Sequence, residues 1–225
     1  MDRIEIDFRF VELQYELWAL DAYRETLEEQ IEVLRRNKKA DVLAQLEKDG
    51  LTPDDPEYHS EYEMVYTLVD EIVPRFYRGP YLVALYGIFE SAIEEMAGYI
   101  ATQKGIALRL RDISGRTARE RWSKYYSHVL DYEIGINEST WTKIEELREL
   151  RNAISHCNGR LSLLNPNLAD KIRGWVAEKR GITTDYEFLL LSKEYLESAA
   201  VLVVSTIETM VERVKGDTSL EVGKS

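Results

Sequence analysis

The chain has 225 residues, 44% of them hydrophobic and 31% charged, enough for a sizeable core in one large domain or one domain with a helical extension. No apolar run approaches the ~20 residues that a membrane-spanning helix needs, and a single cysteine, Cys157, excludes an internal disulfide framework. The net charge of −12 argues against tight, indiscriminate nucleic-acid binding, although a local basic site remains compatible with it.

Glycine (12) and proline (5) are scarce and most charged residues are helix formers, so the composition predicts an all-α chain. The opening "MDRIEIDFRF" alternates charged and apolar residues and lacks the continuous apolar core of a secretory signal. With the lone cysteine, this leads us to expect a cytoplasmic protein without a membrane anchor.

In chain order, residues 3–36 read as a long helix with two apolar stripes. One carries Ile4, Phe8, Val11, Tyr15 and Trp18; the other carries Leu13, Leu17, Leu20, Tyr23, Leu27, Ile31 and Leu34. A shorter helical piece, "ADVLAQLEKDG", closes at Gly50. Asp55, Pro56 and Glu57 mark a new helix start, with the helix expected to run to about Pro74 and "RGP" at 78–80 expected as a kink or short turn.

Next comes the most periodic helix, with Leu82, Leu85, Phe89, Ile93, Met96 and Ile100 stepping by three or four and an end near Gly105. Residues 106–138 read as a polar link, a basic helix around "TARERWSKYYSHVL" and a loop. Ser139 or Thr140 is expected to cap the following helix, whose stripe is Trp141, Ile144, Leu147, Leu150 and Ile154 and whose stop is "NG" at 158–159. A short helix lies in "LADKIRGWVAEKRG", and "YEFLLLS" reads either as a strand or as the lead into a buried last helix at 193–214. The expected organisation is an N-terminal helical extension (1–50), a helical domain (51–215) and a flexible tail (216–225).

The chain has no Gly-rich phosphate loop, paired-cysteine or His-x-x-x-His spacing, or serine-nucleophile elbow. No cofactor or metal is therefore expected. His59 and His128 read as exposed or half-buried helix residues, and Cys157 as a small buried side chain. What stands out is "RNAISH", in which Arg151, Asn152 and His156 occupy the end of the helix that begins near residue 139.

Arg151 followed by Asn152 and, four residues later, His156 resembles the Arg-x4-6-His motif of the HEPN superfamily, here in its Arg-Asn-x-x-x-His form and of the standalone bacterial type. The upstream helix "YLVALYGIFESAIEEM", with acidic Glu90 in an apolar setting, resembles that family's earlier core helix. Arg121 and His128 also satisfy the bare spacing, but they lack the Asn, the amphipathic helix ahead and the stop behind.

The resemblance implies a HEPN-like helical bundle acting as a homodimeric, metal-independent endoribonuclease of toxin or phage-defence type, with an antitoxin or defence partner protein as a further possibility. The residues suit that chemistry. Histidine exchanges protons near neutrality, arginine forks hydrogen bonds onto a phosphate, and Asn152 can orient the imidazole or bind a phosphate or ribose oxygen. Asn152 and His156 share a helix face with Arg148 one turn earlier, whereas Arg151 lies ~140° around the helix from His156. A second copy would therefore complete the site.

Glu90 and Arg148 are expected as supporting residues. A local +4 segment formed by Arg109, Arg111, Arg116, Arg119, Arg121 and Lys124 against Asp112 and Glu120 is a candidate RNA-docking surface. The competing expectation is a catalytically silent helical module that binds an anion, a nucleotide or a partner protein. In that reading Arg151 pairs along its own helix and His156 serves the helix C-terminus.

Overall fold

A computed structural model describes residues 10–220 with the exception of Lys179. Its elements are α1 (Val11–Lys48), α2 (Pro56–Thr67), α3 (Val73–Gln103), α4 (Ala118–Lys124), α5 (Glu138–Cys157), α6 (Pro166–Ala177), β1 (Ile182–Asp185), β2 (Phe188–Leu191) and α7 (Lys193–Gly216). Apart from the β1–β2 hairpin, the regular structure among the described residues is helical, so the all-α class holds. Among those residues no helix is long and apolar enough to cross a membrane.

Several boundaries differ from the sequence reading. The long first helix and the piece after it are one helix, α1, because no residue between Arg36 and Ala40 breaks it; Gly50, at φ +71°, ends the turn beyond it. Ile4 and Phe8 lie outside the described residues. Of the first apolar stripe, Tyr15 and Trp18 are 58% and 60% exposed, whereas Leu13, Leu20, Leu27 and Ile31 of the second are buried.

Helix α2 starts as expected, with Asp55 at its N-cap and Pro56 in its first turn. It does not stop near Pro74. A π-helical turn, Leu68–Ile72, carries the chain straight into α3. Pro74 is the second residue of α3, directly after the π turn, and Pro80 sits inside the helix without ending it. Gly79 has a separate role, since a Cβ there would come within 3.2 Å of Ile154 Cγ2 on α5. The "RGP" segment thus permits close helix approach and is not a turn.

The chain forms two compact units interleaved along the sequence. The first comprises Met1–Leu17, Leu85–Glu146 and Ala200–Ser225. Its centre is aromatic: Phe89 meets Trp122 and Trp141 edge-on at 5.9 and 6.3 Å, and the two indoles stack at 6.1 Å. Leu85, Phe89, Ile93, Met96 and Ile100 of the periodic helix are all buried here. The buried Tyr126 hydroxyl donates to the Ile93 carbonyl at 2.8 Å, which satisfies a group that would otherwise be costly to bury.

Another π turn, Tyr125–Val129, follows α4, and Lys104 Nζ donates to the Leu130 and Asp131 carbonyls just past its end. Thr218–Leu220, in the stretch expected as a flexible tail, form a 3₁₀ turn with Leu220 buried.

The second unit comprises Trp18–Ala84 and Leu147–Ala199. Leu20, Leu27, Ile31, Tyr81, Leu82, Leu147, Leu150, Ile172, Trp175 and Leu196 form its core. At its edge Arg78 donates from Nε and Nη2 to the two carboxylate oxygens of Glu28, each at 2.8 Å, and from Nη1 to the Leu191 carbonyl at 3.1 Å. One guanidinium thus joins α1, α3 and β2.

The "YEFLLLS" stretch is a strand. β2 pairs antiparallel with β1 in the register Ile182↔Leu191 to Asp185↔Phe188. The two-residue turn, Tyr186 and Glu187, has φ of +41° and +69°. Such a turn favours Asn-Gly, so the sequence carried no hairpin signal, and β1 was not anticipated.

These observations set three expectations. Arg78→Ala, which strands the Glu28 carboxylate in a site that leaves it only 11% exposed, should cost about 3 kcal/mol in chemical denaturation. Arg173→Ala, which removes ion pairs that stand in solvent, should shift the denaturation midpoint far less. Tyr186→Asn combined with Glu187→Gly should raise stability by roughly 1–2 kcal/mol by relieving left-handed strain, because Tyr186 is 86% exposed and loses no packing.

Burial pushes the Tyr81 phenol up to about 12. Its contribution to stability is complete below its unfolded pKa of ~10 and is lost as pH rises toward the folded value. Tyr81→Phe should therefore flatten the fall in Tm between about pH 10 and pH 12.

Candidate functional site

Helix α5 carries the motif and is held at both ends. At its start the Asn137 side-chain oxygen accepts from the Thr140 N–H at 2.9 Å. Asn137, and neither Ser139 nor Thr140, is thus the cap, because the helix begins at Glu138, ahead of both expected cap residues. Leu147, Leu150 and Ala153 are buried in the second unit, which fixes the rotation of the helix there and leaves Arg148, Arg151 and Asn152 half-buried and His156 exposed. Ile154, the last member of the expected stripe, is half-buried.

The C-terminal end is built as the "NG" signal implies. Asn158 and Gly159 both take positive φ, +50° and +71°, and the Gly159 N–H reaches back to the Ala153 carbonyl at 3.0 Å. The hairpin then pins this turn. The Leu189 N–H donates to the Gly159 carbonyl and the Leu161 N–H donates to the Glu187 carbonyl, each at 2.8 Å. A Cβ at position 159 would sit 3.3 Å from Leu189 Cβ, so both conformation and space require glycine here.

Within the motif, Arg151 Nη1 donates to the Asn152 side-chain oxygen at 3.0 Å. Asn152 therefore orients the guanidinium, whereas the sequence reading has it orient the imidazole or bind a phosphate or ribose oxygen. No hydrogen bond, ion pair or ring contact joins the His156 side chain to another described residue. Arg148 and Arg151 both have partners, and Glu149 pairs with Lys171 of α6 at 2.8 Å. Cys157, expected to be buried, is half-buried, with Sγ 3.6 Å from the Leu163 carbonyl.

The remaining candidates belong to the first unit. Glu90 is half-buried on α3 and has an interaction partner. Arg109, Arg111, Arg116 and Lys124 are exposed, and Arg119 and Arg121 half-buried. Two of these cations are neutralised locally, Arg119 by Glu138 and Lys124 by Glu120. Arg111, Arg116 and Arg121 line an open depression of about 450 Å³ over residues 111–121. His59 and His128 are exposed, as expected. Among the described residues no three His, Cys, Asp or Glu side chains are grouped to hold a metal ion.

Arg75, Arg160 and Phe188 lie outside every motif read from the sequence. The Arg75 guanidinium lies 4.0 Å from the Phe188 ring centroid and that of Arg160 lies 5.7 Å from the same ring. Neither side chain forms a hydrogen bond or ion pair with a described residue. Burial lowers the pKa of Arg75, opposed by the field of Asp185. No local motif marks these residues, because they come from α3, the turn after α5, and β2. Only the excess of arginine over nearby acid in "PRFYRGP" hints at them.

Gly159→Ala should cost about 1–3 kcal/mol by forcing a Cβ into a left-handed, contacted position, and should speed amide exchange at Leu189, whose N–H bonds the Gly159 carbonyl. Equal exchange rates in the variant and the wild type would show that the turn does not depend on this contact. No family model, curated protein or solved structure matches the chain.

Proposed function

We propose that the chain is a metal-independent endoribonuclease of the HEPN kind, acting as a homodimer through Arg151 and His156. The observation that carries this reading is the state of His156. Its imidazole stands in solvent on the last turn of a helix whose rotation and end are both held, and no described residue engages it. A histidine serving packing would be buried or bonded, whereas one that exchanges protons with a ligand must be reachable.

In the proposed reaction the ribose 2′-oxygen forms a bond to the adjacent phosphorus as the bond from phosphorus to the 5′-oxygen breaks. The products are a 2′,3′-cyclic phosphate and a 5′-hydroxyl. The 2′-hydroxyl proton passes to an imidazole, and the departing 5′-oxygen takes a proton from the second copy's imidazole or from water. Arg151, held by Asn152, faces the phosphate as its charge grows. Arg151 and His156 lie ~140° apart around one helix, so a two-fold pairing of two motif faces supplies arginine and histidine to each cleft.

RNA as substrate, a toxin or defence role, a cytoplasmic setting and a controlling partner protein all follow from the motif resemblance. Glu90 and the Arg109–Lys124 segment are its proposed supporting and RNA-docking groups. The silent-module reading draws on a different observation. Helix α2 buries no residue, and Met64 and Tyr66 on it are exposed, which suits a protein-docking role.

Purified wild type should cleave single-stranded RNA in excess chelator and leave 2′,3′-cyclic phosphate ends. His156→Ala and Arg151→Ala should each lower the rate by at least ~100-fold. Intact RNA with the wild type, or cleavage only on addition of a divalent metal, would refute the proposal.

A further inference from the structure

Beside the motif turn the second unit contains a half-open cavity of about 510 Å³, within the range of small-molecule and cofactor sites. Its walls are mainly apolar, with Phe76, Val83, Leu189 and Leu191 among them. Two polar side chains from the end of the motif helix and its turn, Ser155 and Asn158, also line it, and neither is engaged by a described residue. Ile154 and Ser155 lie three and four residues after Arg151 on α5, so the cavity-lining face of the helix continues the Arg151 face.

Arg78 apart, the arginines beside this cavity form no carboxylate hydrogen bond or ion pair with a described residue. Arg24, Arg35, Arg78, Arg173 and Arg213 each have a carboxylate partner. Arg75, which lines the cavity, and Arg160, against the same Phe188 ring, have none. Asp185, the carboxylate whose field reaches Arg75, is hydrogen-bonded to Glu71. The Arg75 Nε is buried without a hydrogen-bond partner, and a multiply charged anion between the two guanidinium groups would supply acceptors to both.

We propose that this cavity binds one nucleotide, with its base against the apolar walls and its phosphate between Arg75 and Arg160. The amide of Asn158 offers a donor and an acceptor, and the Ser155 hydroxyl offers either, which suits the edge of a base. Paired guanidinium groups favour a phosphate over a single carboxylate. If the chain cuts RNA as proposed above, the nucleotide is one unpaired residue of the substrate strand and the cavity selects its base; that step rests on the ribonuclease reading.

The test is calorimetric titration of the full chain with 5′-AMP, 5′-GMP, 5′-CMP and 5′-UMP, and of the His156→Ala chain with a short unstructured RNA. We expect one nucleotide per chain, with affinity falling roughly tenfold or more in Arg75→Gln/Arg160→Gln. Filling the cavity by Val83→Trp should abolish discrimination among the bases. Should Val83→Trp fail to fold by circular dichroism, Val83→Phe and the arginine pair decide the matter.

Binding of mononucleotides but not RNA identifies a free nucleotide as the source, and the reverse identifies the RNA chain; either supports the cavity. Binding of neither, or binding unchanged in every variant, overturns it. Nucleotide binding by a wild type that never cleaves RNA sinks the ribonuclease reading alone. Cleavage with unaltered rate and base preference in all cavity variants sinks the RNA subsite alone.

Discussion

The candidate site depends on one partly desolvated guanidinium. Arg78 satisfies both oxygens of Glu28 and, with its remaining Nη1, the Leu191 carbonyl at the end of β2. Strand β2 in turn holds the turn that ends the motif helix, through the Leu189 N–H and the Gly159 carbonyl. A charge pair between α1 and α3 is therefore linked, through backbone hydrogen bonds, to the position of His156. Because the pair is bidentate and only 11–14% exposed, it specifies direction as well as attraction. Apolar packing alone would leave the hairpin freer to slide.

The hairpin is an unusual choice for such a role. Two strands are marginal by themselves, and this turn places Tyr186 and Glu187 in left-handed conformations that glycine or asparagine would adopt at lower cost. Strand pairing, the buried Ile182, Leu189 and Leu191 side chains and the bond from Arg78 offset that strain. Strain retained beside a candidate site, where easier residues would fold as well, fits a segment kept for its position.

In the second unit two arginines without a carboxylate partner, Arg75 and Arg160, lie against one ring, while Arg24, Arg35, Arg78 and Arg173 are ion-paired. A chain with net charge −12 attracts no polyanion over its whole surface, so any phosphate must be recognised at short range by convergent groups. Phe188 supplies such a centre: a flat ring attracts guanidinium groups through its face without neutralising them, leaving their hydrogen bonds for a ligand. Arg151, held by Asn152, is a third cation pre-oriented by a neutral partner.

The sequence by itself determined the helical class, the α2 start at Asp55–Pro56, the buried stripe from Leu82 to Ile100 and the stop at Asn158–Gly159. Each of these rests on short-range rules: a side-chain period, a cap, or a backbone conformation that few residues adopt. It also picked out Arg151, Asn152 and His156, because their spacing and setting are local. Tertiary structure alone decided that Pro74 and Pro80 lie within a nearly unbroken helical run, that Tyr15 and Trp18 face solvent, and that β1 pairs with β2. It alone brought Arg75, Phe188 and Arg160 together, and turned Asn152 toward Arg151. These outcomes depend on which partner occupies the space beside a residue, and partners distant in the chain leave no periodic trace in it.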